Sequence, residues 1–227
     1  EVSASSSFTM GMVEENAGNE ELAERYFKSA IADSTTSMSE SSLWTRSILA
    51  RLYIRHGRFE EAAVVLESIR VCDQEYLEGV SLFGELSLAT RDPSAATAFF
   101  TRAFELSHDP RYLRLLGWAR RADGDNHGWS SAIASAISLY EIAAERDPSY
   151  HRALHAQALL DRDARPKDIE QAITLLEEER QRRRSPDIMR PLAYAYRLVG
   201  RLEEAGAIDN SLAREGYSLQ DRDEPWR

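Results

Sequence analysis

Small and bulky residues recur along this chain at intervals that barely change. Gly11, Gly18, Ala23, Phe27 and Ala30 stand 7, 5, 4 and 3 residues apart. The same intervals return as Ala50, Gly57, Ala62, Leu66 and Ile69, as Gly84, Arg91, Ala96, Phe100 and Ala103, and as Ala193, Gly200, Ala205, Asp209 and Leu212. Steps of three and four keep residues on one helical face, and an intervening glycine marks a tight turn. Each set therefore reads as helix, turn, helix, with small residues where the two helices cross. Such a hairpin cannot bury its own apolar flank, so copies must stack on one another.

At a period near 34 residues the chain holds about six copies, at 4–33, 43–71, 75–107, 111–147, 150–184 and 187–215. They read as a single array over 1–215, followed by a polar tail, 216–227, frayed or loosely docked. The Ser/Thr-rich connector Ser34–Ser42 absorbs the extra residues between the first two copies. In the third, Asp92 and Pro93 give a cap and a first helical position. The fourth is irregular: Gly124 and Ala136 are 12 residues apart where the other copies have 5, so about seven residues, Asp125–Ser131, are inserted. Their sequence, DNHGWSS, suggests a turn cluster, with Trp129 packed back on Trp118 or the next helix in preference to a specificity loop. The fifth copy has its turn at Pro166, and the sixth puts Asp209 where an aromatic residue or leucine is usual.

These residues resemble the tetratricopeptide repeat. The small slot of the first helix is filled by Gly11, Ala50, Gly84, Gly117 and Ala193. The second-helix alanines are Ala23, Ala62, Ala96, Ala136, Ala172 and Ala205, with Phe27, Phe100 and Tyr140 as the following aromatic. The resemblance implies an all-α fold, a right-handed superhelix (α-solenoid) of antiparallel helix pairs whose first helices line a concave groove. It also implies a binding scaffold for peptides or proteins, with no catalysis of its own. One branch of the family grips acidic C-terminal tails with lysine and asparagine at set places. Here Phe8 and Met12 occupy the first pair of those places, so that partner is not carried over.

Composition narrows the function further. The formal net charge of −10 argues against a general nucleic-acid binder. No apolar run is long enough to span a bilayer, and a single cysteine, Cys72, excludes an internal disulfide and reads as a small buried residue. Glu1 opens the chain without an initiator methionine, which suggests a cut fragment or processed form. The compartment expected is cytoplasmic, with the periplasm as the alternative.

Lys28 and Lys167 are the only lysines, and arginine supplies the rest of the basic charge. Positions at −6, −3, +1 and +4 from each small slot should face the groove. In the last three copies they include Arg111, Arg114, Trp118, Arg121, Arg152, His155, Arg162, Arg190, Tyr194 and Arg197. Acidic residues fall instead on second helices, as in Glu177-Glu178-Glu179 and Glu203-Glu204. A basic concave wall would favour an acidic peptide or protein segment, because guanidinium groups bind carboxylate and phosphate oxygens in pairs. The competing reading is that these arginines pair with glutamate and aspartate on neighbouring helices.

No metal or cofactor is expected. His151 and His155 have the spacing of a shared metal site, but no third ligand is evident and arginines surround them; they read as groove or surface histidines. Arg180–Ser185, RQRRRS, reads as a helix terminus carrying Glu178–Arg182 and Glu179–Arg183 pairs. Two other readings stay open: a regulatory or sensor domain of a larger enzyme or NTPase, and periplasmic scaffold repeats of a polysaccharide-export protein.

Overall fold

A computed structural model describes residues 4–33, 39–146, 148–162 and 165–217. Among these residues the regular elements are all helices: α1 (Ala4–Ala17), α2 (Glu20–Ala32), α3 (Glu40–Arg55), α4 (Phe59–Cys72), α5 (Leu77–Ala89), α6 (Pro93–Ser107), α7 (Pro110–Ala122), α8 (Asn126–Arg146), α9 (Pro148–Asp161), α10 (Pro166–Arg182), α11 (Pro186–Leu198) and α12 (Leu202–Arg214). The chain divides into two compact units, the first ending at His108 and the second beginning at Asp109. Within each, successive helices pack as antiparallel pairs, α1 with α2, α3 with α4 and so on. Most of the connector, 34–38, and the tail from 218 onward lie outside the described residues.

The turns follow from backbone chemistry. Gly18, Gly57, Gly124 and Gly200 all take left-handed φ between +71° and +84°, which a residue without Cβ adopts freely. Arg91 stands at the same place in the third pair and is forced to φ +63°. Asp92 then caps α6, its side chain accepting the Ala95 amide at 3.0 Å, with Pro93 in the first helical turn.

The small slots are small because a ring lies against them. A Cβ on Gly84 would sit 2.6 Å from the Phe100 ring, and one on Gly11 would sit 2.6 Å from Phe27. In the fourth pair the same slot, Gly117, faces Ile133, with Trp129 beside it. This corrects the register inferred above. Trp129 and Ile133 hold the positions that alanine and the aromatic hold elsewhere, so Ala136 and Tyr140 lie further along the helix than supposed. No loop is inserted: α8 is simply 21 residues long where the other second helices have 13 to 17, and the seven extra residues continue it. Seven residues make two helical turns, so the buried face continues in phase into the added C-terminal end. Trp129 is buried in the core of the second unit, as its packing role required. Pro166 likewise starts α10 rather than forming the turn. Cys72 ends α4 half-buried, more open than expected, because it falls on the last residue of the helix.

Candidate functional site

Nine of the ten candidate residues lie on α7, α9 and α11, the first helices of the second unit, and Arg162 immediately follows the end of α9, but they do not share one surface. Arg114 and His155, both three residues before a small slot, are turned into the stack, as are Ser47 and Ser81 at that offset in the first unit. The sequence expectation of a groove position is corrected for both. Arg114 has only 8% of its side chain exposed and forms an ion pair with Asp161, which ends α9 and is fully buried. Trp118 donates its indole N–H to the same carboxylate at 3.1 Å. The three groups join α7 to α9, and the pair is structural because neither charge reaches solvent.

His155 is 4% exposed and stacks on Tyr140 in the added end of α8, with ring centroids 6.5 Å apart. Burial pushes its pKa below the ordinary histidine range, against a weaker opposing influence from Glu141. It is neither a groove nor a surface histidine. His151 also approaches Tyr140, at 6.2 Å. No group of three or more metal-ligating side chains occurs among the described residues.

Most of the remaining arginines are matched by carboxylates. Arg111 lies 3.1 Å from Asp109 and covers the Tyr112 ring. Arg152 reaches Glu178 at 2.8 Å and Glu179 at 3.9 Å, Arg162 reaches Asp168 at 3.6 Å, and Arg197 pairs with Asp209. The last pair accounts for the missing aromatic of the sixth copy. Glu178 is thus taken by Arg152 and Glu179 by Arg152 and Arg182, while Arg183 pairs with Asp187 at 3.1 Å. The two i,i+4 pairs inferred above give way to these: Arg182 meets Glu179 within its own helix, and Arg183, extended beyond the end of α10, reaches Asp187 on α11.

Arg121 differs from the others. It is exposed, lies 5.4 Å from the Trp118 ring and 4.5 Å from the Trp129 ring, and has no carboxylate partner among the described residues. Tyr194 on α11 is 43% exposed, and Arg190, on the turn before it, is half-buried. These side chains and the open part of Arg197 are what the first-helix face offers to a partner.

A second arrangement was missed in the sequence. Tyr53 donates to Glu24 at 2.9 Å, Arg58 lies over the Tyr53 ring at 4.4 Å, and Arg58 also binds Glu24 and Glu61. In the second unit Tyr196 donates to Glu177 at 2.5 Å, Arg201 lies 4.1 Å over the Tyr196 ring, and Arg201 binds Glu204. The Arg58 guanidinium brings the Glu24 carboxyl down to about 2. Both clusters tie the second helix of one pair to the turn of the next. The signal was present: Tyr, three residues, Gly-Arg, one residue, then Glu-Glu-Ala occurs at Tyr53–Ala62 and at Tyr196–Ala205.

Comparison with solved structures bears on the architecture. A protein from Parabacteroides merdae described as a tetratricopeptide repeat protein superposes with a TM-score of 0.60 at 15% identity, covering 98% of this chain and 82% of that one. A thermophilic protein of the same description from Thermus thermophilus gives 0.59 at 14% identity, covering 85% and 98%. The fold is that of the tetratricopeptide repeat. PilW, a type IV pilus biogenesis factor, shares it at a TM-score of 0.53 and 12% identity, over 95% and 94% of the two chains. No family model matches the sequence, and no curated protein matches it. At these identities the likeness concerns the repeat architecture, which is generic to protein-interaction scaffolds. No helix among the described residues is long and apolar enough to cross a membrane.

Proposed function

We propose that this chain is a non-catalytic scaffold whose second unit binds an acidic, extended protein segment on its first-helix face. The observation that carries the reading is Arg121, a guanidinium seated on two tryptophan rings with no carboxylate partner among the described residues. Cation and rings together present an amphipathic edge, suited to a carboxylate flanked by an apolar side chain. Tyr194, Arg190 and the exposed part of Arg197 extend that chemistry to α11. Arg114 and His155 have no part in it. The arginines already facing carboxylates hold the face near neutrality, so the partner is selected by a few contacts and not by a broad field.

Titration of a labelled Glu/Leu-rich peptide against the full chain tests the proposal. Wild type is expected to bind with an affinity that falls as salt rises. Arg121→Glu should weaken binding at least tenfold and Tyr194→Ala several-fold, without altering the circular dichroism spectrum. Binding that ignores both substitutions and salt would refute the assignment.

A further inference from the structure

The Tyr196 cluster borders a pocket of about 330 Å³ between α10, α11 and α12. Its wall carries Arg180, Arg184 and Arg201 against Glu177 and Glu204, and Met189, Ala207 and Ile208 add an apolar surface. The equivalent cluster in the first unit has the opposite balance. There Arg58 faces three carboxylates, Glu20, Glu24 and Glu61. In the second unit the register set by Ala23 and Ala172 puts Ile169 and Ile173 where Glu20 and Glu24 stand, the acceptor Glu177 comes one turn later, and arginine is added at 180 and 184. Arg201 is held by Glu204 at 2.8 Å and lies 3.6 Å from Glu177, whose carboxylate also accepts the Tyr196 hydroxyl. Arg184 donates to an uncharged group, the Ser211 hydroxyl, at 3.0 Å. Arg180 has no carboxylate partner among the described residues and lines the pocket together with Tyr196. Two guanidinium groups, one in the last turn of α10 and one just beyond its end, therefore line a pocket whose own acids are already engaged by Arg201 and Tyr196.

We infer that this pocket binds a phosphate monoester carried on a compact apolar group. Two guanidinium forks supply enough donors for the three terminal oxygens of a phosphoryl head, more than a carboxylate can accept. The volume lies at the lower end of small-molecule sites and exceeds what an inorganic ion fills. Met189, Ala207 and Ile208 would contact the body of the ligand. A phosphotyrosine side chain and a free aryl phosphate share this chemistry. The site involves different residues from the first-helix face, so either assignment can fail without the other.

Calorimetric titration of the full chain with phenyl phosphate is the direct test, with phenylacetate and a short phosphotyrosine peptide as the other arms. Phenyl phosphate should bind, and phenylacetate should bind at least fivefold more weakly. Arg180→Gln and Arg184→Gln should each weaken phenyl phosphate at least fivefold, and Ala207→Phe, which occupies the pocket without changing charge, should abolish binding. Arg183→Gln, at the neighbouring Asp187 pair, should change nothing. A phosphotyrosine peptide tenfold tighter than phenyl phosphate assigns the site to a protein ligand, and equal affinity assigns it to a small molecule. No binding of phenyl phosphate, equal binding of phenylacetate, or binding indifferent to Arg180→Gln and Arg184→Gln overturns the inference.

Discussion

Replacing Arg114 by methionine separates a structural cation from a ligand-binding one. Methionine keeps the length and most of the aliphatic stem of arginine, so the packing between α7 and α9 is largely retained. It removes the cation beside Asp161, whose side chain has no exposed area. A carboxylate stripped of its ion partner in such surroundings costs about 3–5 kcal/mol. The Trp118 indole N–H, 3.1 Å away, offsets little of this because it carries no charge. Against a domain stability on the order of 5–15 kcal/mol, the loss is large. Removing the acid as well should recover most of it: Arg114→Met/Asp161→Leu exchanges a buried pair for apolar atoms, a change that is often near neutral. The remaining deficit, about 1 kcal/mol, comes from the acceptor lost to Trp118.

Urea unfolding followed by tryptophan fluorescence in a Trp44→Phe background reads the second unit, since Trp118 touches the pair and Trp129 lies in the core of that unit. The expected order of midpoints is wild type, then the double variant, then Arg114→Met well below both. A single variant within about 1 kcal/mol of wild type refutes the account of Asp161. A double variant less stable than Arg114→Met refutes it equally. If Arg114 instead served a ligand, Arg114→Met would lose peptide affinity while its midpoint stayed in place.

Other substitutions probe the repeat geometry and the buried imidazole. Gly84→Ala should destabilise by about 1 kcal/mol net, because overpacking Phe100 outweighs the gain in helix propensity. Gly206→Ala, inside α12 with nothing within 4 Å of the added methyl, should stabilise by up to about 1 kcal/mol; thermal melts that reverse this order would refute the close-approach argument. Arg91→Gly should raise stability by about 0.5–1 kcal/mol, since it relieves a left-handed non-glycine residue at some entropic cost, and a lower melting temperature would refute that. For His155 the folded pKa is lowered, so the unfolded chain takes up the proton first as pH falls below about 6.5. Stability should therefore drop on acidification from about pH 7.5 to 5.5, by at most about 1.4 kcal/mol per pH unit from this group. His155→Gln should show a flatter profile than wild type, and identical slopes would exclude a buried neutral imidazole.

The repeat was legible because it rests on backbone necessities. Gly57 and Gly200 mark left-handed turns, and Gly11 and Gly84 mark rings pressed on a helix, so each leaves a compositional trace. The length anomaly of the fourth pair was legible too, but not its place, because Ala136 and Tyr140 imitate the pattern two helical turns beyond Trp129 and Ile133. The site was read less well. Facing a groove and facing the next helix differ by one helical step, and Arg114 or His155 has no feature in sequence that separates the two. Whether an arginine is free depends on carboxylates 12 or 26 residues away, as Arg197 depends on Asp209 and Arg152 on Glu178. Arg121 could not be singled out without coordinates showing rings, and no acid, beside it.

The buried polar groups also bear on how such a stack holds its register. Apolar flanks attract without direction, and a helix pair displaced by a turn would still bury leucine and alanine. Arg114 and Asp161 tolerate no such displacement, because a slip leaves two charges buried and apart. The Tyr53 and Tyr196 clusters act at the turns in the same sense, each binding a glutamate from the preceding pair. Stability in stacked repeats is close to a sum of intrinsic and nearest-neighbour terms, so polar links at junctions enter the neighbour term. On this view arginine in the second unit serves two ends. Where a carboxylate meets it, it fixes one repeat to the next; where none does among the described residues, as at Arg121, Arg180 and Arg184, its proposed partner lies outside the chain.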